Sequence, residues 1–177
     1  LLTINSQNGR ILGYVAGIDY GMSQKDNILE KKQVGSTFKP ITYLAALEKG
    51  KNPCDFYDNN LRTYKDYENW QPLANSVNTI SVRIQMEVGI EPVQKLAEKM
   101  GITATLPKVP SIVLGTGTIS LFDMVTAYAS ISNGGKRIKP YAIERIEDDK
   151  GTILYQAKPT YSNRVASEQN VKKLQQM

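Results

Sequence analysis

The strongest constraint on the fold is a proline set directly before an apolar run, in the stretch KKQVGSTFKPITYLAALEKG from Lys31 to Gly50. Pro40 has no N–H to donate, so it belongs in or near the first turn of a helix. A helix is therefore predicted to start close to Ser36. Ile41, Tyr43, Leu44, Ala45, Ala46 and Leu47 are too dense for a single exposed stripe, so that helix is predicted to be largely buried. Gly50 supplies its C-terminal cap.

Strand and helix signals alternate around this segment. Leu1 to Asn5 and Arg10 to Ala16 read as two strands about the turn Ser6-Gln7-Asn8-Gly9, with Asn-Gly as the hairpin signal. Asp19 to Val34 reads as a polar loop, as does Asn52 to Asn75, which holds the lone tryptophan, Trp70. Thr79 to Val88 is predicted helical, with Ile80, Ile84 and Val88 on one face. Pro92 to Met100 follows as a short amphipathic helix ended by Gly101. Thr103 to Gly117 reads as a loop. Ser120 to Asn133 is predicted to be a helix with Ser120 as N-cap, Asp123 near its positive end and Gly134 as its stop. The stripe Leu121, Met124, Val125, Tyr128 and Ala129 on it reads as core packing. A second hairpin is predicted from Tyr141 to Ile146 and Thr152 to Gln156, and Ser167 opens a last helix. Hairpin, helical block and second hairpin together argue for an α+β domain.

Composition narrows the chemistry. With 177 residues the chain is long enough for one domain with a real core. It has no histidine, which removes Ser-His-Asp and Cys-His catalysis and histidine-ligated metal. Cys54 is the single cysteine and reads as an incidental thiol. No metal and no cofactor are expected. The net charge of +5 is spread over small clusters, Lys31 and Lys32, then Lys136, Arg137 and Lys139, best read as solvated faces. Aromatic interleaving of the RNA-binding kind is absent, so no nucleic-acid partner is expected. No apolar run reaches membrane-spanning length. Leu1 begins inside an apolar run and Met177 stops inside a helical pattern, so the sequence is expected to be a piece of a longer protein.

Ser36 and Lys39 are three residues apart, hence neighbours on one helix face. A partly desolvated lysine has a lowered pKa and serves as a base, and a serine beside it suits nucleophilic catalysis. Alone the pair is weak, because serine is common at helix starts. A second polar pair, Ser76 and Asn78, lies in LANSVNTISVRI just before the next helix. Its hydroxyl could relay a proton, and its amide offers both a donor and an acceptor to a peptide-like substrate. Both residues are also ordinary capping residues, and the same Ser-x-Asn spacing recurs at Ser6-Gln7-Asn8, where a hairpin turn explains it.

Ser-x-x-Lys with a Ser-x-Asn element belongs to the motif set of class A β-lactamases and penicillin-binding proteins. The segments NGRILGYVAGIDY, KKQVGSTFKPITYLAALEKG, NWQP, LANSVNTISVRI and VPSIVLGTGTISLFDMVTAYASISNGG resemble the transpeptidase domain of class A penicillin-binding proteins, over essentially the whole chain. The resemblance implies that fold, a helical block packed on an antiparallel sheet. It implies Ser36 as the acylated nucleophile, Lys39 as its base, Ser76 as the proton relay to the leaving group and Asn78 as the residue that orients the substrate amide. The implied reaction joins peptidoglycan stem peptides ending in D-Ala-D-Ala. β-Lactam antibiotics and cell-wall synthesis proteins are the other implied partners. The implied place is the extracytoplasmic face of the bacterial cytoplasmic membrane, periplasmic in a Gram-negative cell. An amino-terminal anchor and a glycosyltransferase domain are implied for the parent protein.

Two departures stand out. Lys-Thr-Gly, the third family motif, occurs nowhere; Gly115-Thr116-Gly117 follows Leu114 and matches a different family segment. The chain as given is therefore expected to be a partial domain, inactive by itself. The run from Pro72 to Ser76 is also shorter than in most members. A β-lactamase would need a glutamate for fast deacylation, and no Glu-x-x-Leu-Asn element follows Ser76; Glu87 and Glu91 sit in helix contexts. The acyl-enzyme is therefore expected to persist. A β-lactam sensor or a non-catalytic scaffold is the other reading.

Overall fold

The computed structural model describes residues 1–53 and 71–177; Cys54 and Trp70, with the readings made of them, lie outside the described residues. In chain order the elements are β1 (Leu2–Ile4), β2 (Ile11–Tyr14), β3 (Lys31–Gln33), a 3-10 turn (Gly35–Phe38) running into α1 (Lys39–Glu48), α2 (Gln71–Ala74), α3 (Asn78–Val88) and α4 (Ile90–Lys99). A second 3-10 turn (Pro110–Leu114), β4 (Thr118–Ser120), α5 (Leu121–Ser132), β5 (Lys136–Ile138), β6 (Arg145–Glu147), β7 (Ile153–Gln156), β8 (Tyr161–Arg164) and α6 (Glu168–Gln176) follow.

Helix α1 is the buried centre that its sequence predicts: every residue from Ile41 to Leu47 is buried. Pro40 also explains how it starts. A regular α-turn would have the residue-40 N–H bond to the Ser36 carbonyl, and proline has none. The Lys39 N–H takes that carbonyl instead, which tightens the entry into a 3-10 turn. Gly50, with φ of +84°, follows the C-cap Lys49 as expected. Helices α3, α4 and α6 pack round α1. Phe38, Ile41, Leu44, Ile80, Val93, Met100 and Ile112 form the heart of the core.

Buried polar pairs pin α1 to α3. Thr42 Oγ1 donates to Gln85 Oε1 at 3.1 Å, and the Tyr43 and Ser81 hydroxyls share a hydrogen bond of 3.2 Å. Such pairs are satisfied only at one axial offset of the two helices, so they set the register in which Lys39 meets the start of α3.

The β-structure differs in part from expectation. β1 and β2 form the predicted antiparallel hairpin, and Asn5 Oδ1 accepts from the Gln7 and Asn8 N–H groups to shape its turn. Two short strands lie outside the expectation: β3, inside the predicted loop Asp19 to Val34, and β4, between the predicted loop ending at Gly117 and the helix capped by Ser120; they pair antiparallel from Lys31 opposite Ser120 to Gln33 opposite Thr118. Three residues are too few to show a period of two. The second hairpin is β6–β7, but Tyr141 belongs to neither strand; it makes a parallel bridge with Arg10. β5 and β8, also unforeseen, pair across it. Among the described residues the implied antiparallel sheet is thus four two-stranded pairs. The α+β class stands.

Helix α5 has the expected N-cap: Ser120 Oγ accepts from the Asp123 N–H at 3.1 Å. α6 is capped the same way, Ser167 Oγ accepting from the Asn170 N–H. The apolar stripe of α5 departs from its reading as core. Met124 and Ala129 are buried, but Leu121 is 42% exposed and Tyr128 39%. Leu121, Val125 and Tyr128, with Val34, Thr37 and Ile119, line an open apolar trough of ≈ 610 Å³. Helical spacing identifies an apolar face but not what covers it. No described helix is long and apolar enough to cross a membrane.

Candidate active site

The site forms where the entry of α1 meets the entry of α3. Ser36 is the second residue of the 3-10 turn and is exposed. Phe38, two residues on, is fully buried and anchors the turn in the core. Lys39, the first residue of α1, is 1% exposed. Three residues along the chain thus lead from a wet hydroxyl to a dry ammonium.

That ammonium has three protons and three acceptors. Lys39 Nζ donates to the Ser76 carbonyl at 2.6 Å, to Ser76 Oγ at 2.9 Å and to Asn78 Oδ1 at 2.7 Å. Burial without a full ionic partner disfavours the charged form, so desolvation holds the Lys39 pKa below its ordinary 10.5.

Ser76 has φ of +54°, the left-handed region, which side chains other than glycine seldom adopt. The conformation costs about 1–2 kcal/mol and directs both the carbonyl and the hydroxyl of one residue at one ammonium. Asn78 is the first residue of α3, and the N-cap there is Val77, with no side-chain cap. The capping explanation for Ser76 and Asn78 therefore fails, because the oxygens that would cap the helix are committed to Lys39.

The structure brings Lys39, Ser76 and Asn78 into direct contact. Ser36 stands apart in one respect. Its carbonyl accepts from the Lys39 N–H, but among the described residues its hydroxyl has no hydrogen-bond partner, and the lysine protons point to the Ser76 loop. In this state Lys39 is a donor to that loop, and it must lose one proton before it can accept another from Ser36.

Two further residues bear on the site and were not read as site residues from the sequence. Tyr128 Oη donates to the Thr37 carbonyl at 2.7 Å. The Gly115 backbone rests on Gly35, so close that a Cβ at 115 would stand 2.1 Å from the Gly35 oxygen. Contacts between residues 80 and 91 positions apart along the chain leave no local signal. Among the described residues no group of His, Cys, Asp and Glu could hold a metal ion.

The family profile described as Penicillin binding protein transpeptidase domain matches residues 1–177. The chain is similar to penicillin-binding protein 2D of Bacillus subtilis, 34% identical over an alignment of 174 residues that covers 86% of this chain and 25% of that protein. It is similar to penicillin-binding protein 1A of Rickettsia felis, 31% identical over 175 residues, 88% of this chain and 22% of that protein. The chain thus spans a quarter or less of these curated relatives. Its fold matches penicillin-binding protein A of Mycobacterium tuberculosis, solved as an imipenem acyl-enzyme complex, with a TM-score of 0.85 at 16% identity over 99% of this chain and 55% of that one. The motif resemblance and the fold thus lead to one assignment: the chain belongs to the penicillin-binding protein transpeptidase domain family.

Proposed function

We propose that the protein is a serine D,D-transpeptidase that cross-links peptidoglycan stem peptides and is acylated by β-lactams. The observation that carries this reading is the dry Lys39 ammonium, one residue past the exposed Ser36 turn and bonded to both Ser76 and Asn78. It unites the two motifs, which are far apart in sequence, at one atom.

The roles follow from the chemistry. Neutral Lys39 takes the Ser36 hydroxyl proton as the oxygen attacks the carbonyl of the penultimate D-Ala. The Ser36 N–H donates to the oxyanion that forms. Ser76 passes the proton from Lys39 to the leaving amine, the C–N bond breaks, and D-Ala departs. An ester on Ser36 remains. The amine of a neighbouring stem peptide then attacks the ester, loses its proton to the Lys39–Ser76 pair, and frees the serine. Asn78 accepts from Lys39 at Oδ1 and so keeps its N–H₂ for a substrate carbonyl. A β-lactam follows the first half of this course, but its leaving amine stays tethered and the ester persists. The imipenem adduct of the mycobacterial relative supports that reading by analogy of fold.

The parent protein is proposed to work at the extracytoplasmic face of the cytoplasmic membrane, with cell-wall synthesis proteins as partners and a peptidoglycan glycosyltransferase activity of its own.

The deciding experiment is intact-mass analysis of the full-length protein after incubation with a labelled penicillin, followed by peptide mapping. One adduct on Ser36, absent from Ser36→Ala, is expected. Persistent labelling of that variant, or an adduct elsewhere, overturns the assignment.

A further inference from the structure

Ser36 lies between two residues that distant parts of the chain hold in place. Thr37, after it, has its carbonyl bonded by the Tyr128 hydroxyl of α5 at 2.7 Å. Gly35, before it, has the Gly115 backbone pressed on it, so that a Cβ at 115 would meet the Gly35 oxygen at 2.1 Å and its nitrogen at 2.2 Å. Both glycines also have positive φ, +57° at Gly35 and +73° at Gly115. The β3–β4 pairing brings the segments together, since β3 leads into the turn and β4 leads out of Gly115 towards α5. Thr37 Oγ1 adds a bond to the Val34 carbonyl at 2.6 Å within the turn itself.

The Ser36 hydroxyl, by contrast, has no hydrogen-bond partner among the described residues. Its position is therefore set by the backbone of the turn and by one side-chain torsion. Attack on a carbonyl needs the oxygen within a narrow range of distance and angle, and displacement of about 1 Å costs on the order of a hundredfold in rate. Whatever fixes the turn fixes the nucleophile.

We propose that Tyr128 and Gly115 are positioning residues for Ser36, holding its neighbours Thr37 and Gly35 so that the hydroxyl is already aimed before substrate arrives. The proposal rests on the reading of Ser36 as nucleophile. Neither residue touches the reacting atoms. Tyr128 acts through the Thr37 carbonyl, and Gly115 acts by letting its own backbone approach Gly35 where any side chain would displace it. The half-exposed Tyr128 ring allows a clean test, because Tyr128→Phe deletes one hydroxyl and opens no cavity.

The test uses the full-length protein and a fluorescent penicillin in stopped flow, which separates the saturating acylation rate constant from the dissociation constant of the complex that precedes it. Tyr128→Phe is expected to lower the saturating rate about tenfold with the dissociation constant changed less than about twofold. Its thermal midpoint should stay close to wild type, and amide exchange at Thr37, Phe38 and Lys39 should quicken. Gly115→Ala is expected to lower the same rate further. A saturating rate in Tyr128→Phe equal to wild type overturns the proposal. So does a parallel loss of rate, affinity and thermal midpoint, which marks a merely structural tyrosine. Failure of the functional reading looks different: the wild-type protein itself gains no adduct at Ser36, and the positioning role falls with the nucleophile.

Discussion

The Lys39 ammonium donates to the Asn78 side-chain oxygen at 2.7 Å, joining the first residue of α1 to the first residue of α3. The bond couples two proposed roles, because the residue that orients the substrate also tunes the base. Asn78→Asp tests the coupling. A carboxylate at this distance favours the charged lysine and raises its pKa. Penicillin acylation at neutral pH should fall, and the pH at which it reaches half its maximum should rise. An unshifted pH profile in Asn78→Asp would show that the two groups act independently.

Lys39→Arg keeps the positive charge and removes the proposed base, since arginine does not deprotonate in proteins. Acylation of Ser36 should slow by about a hundredfold or more. Rapid-quench labelling measures it, and near-normal kinetics would reduce Lys39 to an electrostatic role.

The wild-type pH dependence has a definite sign. Lys39 must be neutral to accept the Ser36 proton, so acylation should rise with pH and level off above the lysine's folded-state pKa. Desolvation places that pKa below 10.5. The same shift affects stability. Between the folded pKa and 10.5 the unfolded chain binds more protons than the native one, so this group's contribution to stability grows as pH rises through that window and is least favourable below it. Acylation that climbs only as an unperturbed lysine titrates would contradict the buried environment.

Ser76 offers a comparison of two variants. Ser76→Ala and Ser76→Gly both lose the hydroxyl that Lys39 bonds, but only glycine relieves the left-handed backbone. Glycine should therefore be the less destabilising replacement by about 1 kcal/mol, read from urea unfolding midpoints at fixed pH. Both should acylate slowly. Equal stability of the two would mean that the residue leaves the left-handed region in solution.

The sequence carried much of this protein in local form. Pro40 and the apolar run behind it dictated a buried helix and its starting point, because a missing N–H and a crowded apolar surface act whatever the rest of the chain does. Ser120 and Ser167 were legible as caps for the same reason: an N-cap hydroxyl answers N–H groups only two or three residues away. Ser36, Lys39, Ser76 and Asn78 could be named as candidates because their spacing and their places before helices are local facts.

Only the tertiary structure decided what these residues touch. That Lys39 gives its protons to Ser76 and Asn78 depends on the register of α1 against α3, which the buried pairs Thr42–Gln85 and Tyr43–Ser81 set across a gap of some forty residues. That β3 and β4 are strands depends on their pairing, since three residues make no ladder alone. That Tyr128 reaches Thr37, and that Leu121 and Tyr128 line a trough instead of the core, depends on which neighbours α5 finds. Local rules act over a turn or two of chain, whereas burial, desolvation and contacts between distant segments exist only once the chain has closed on itself.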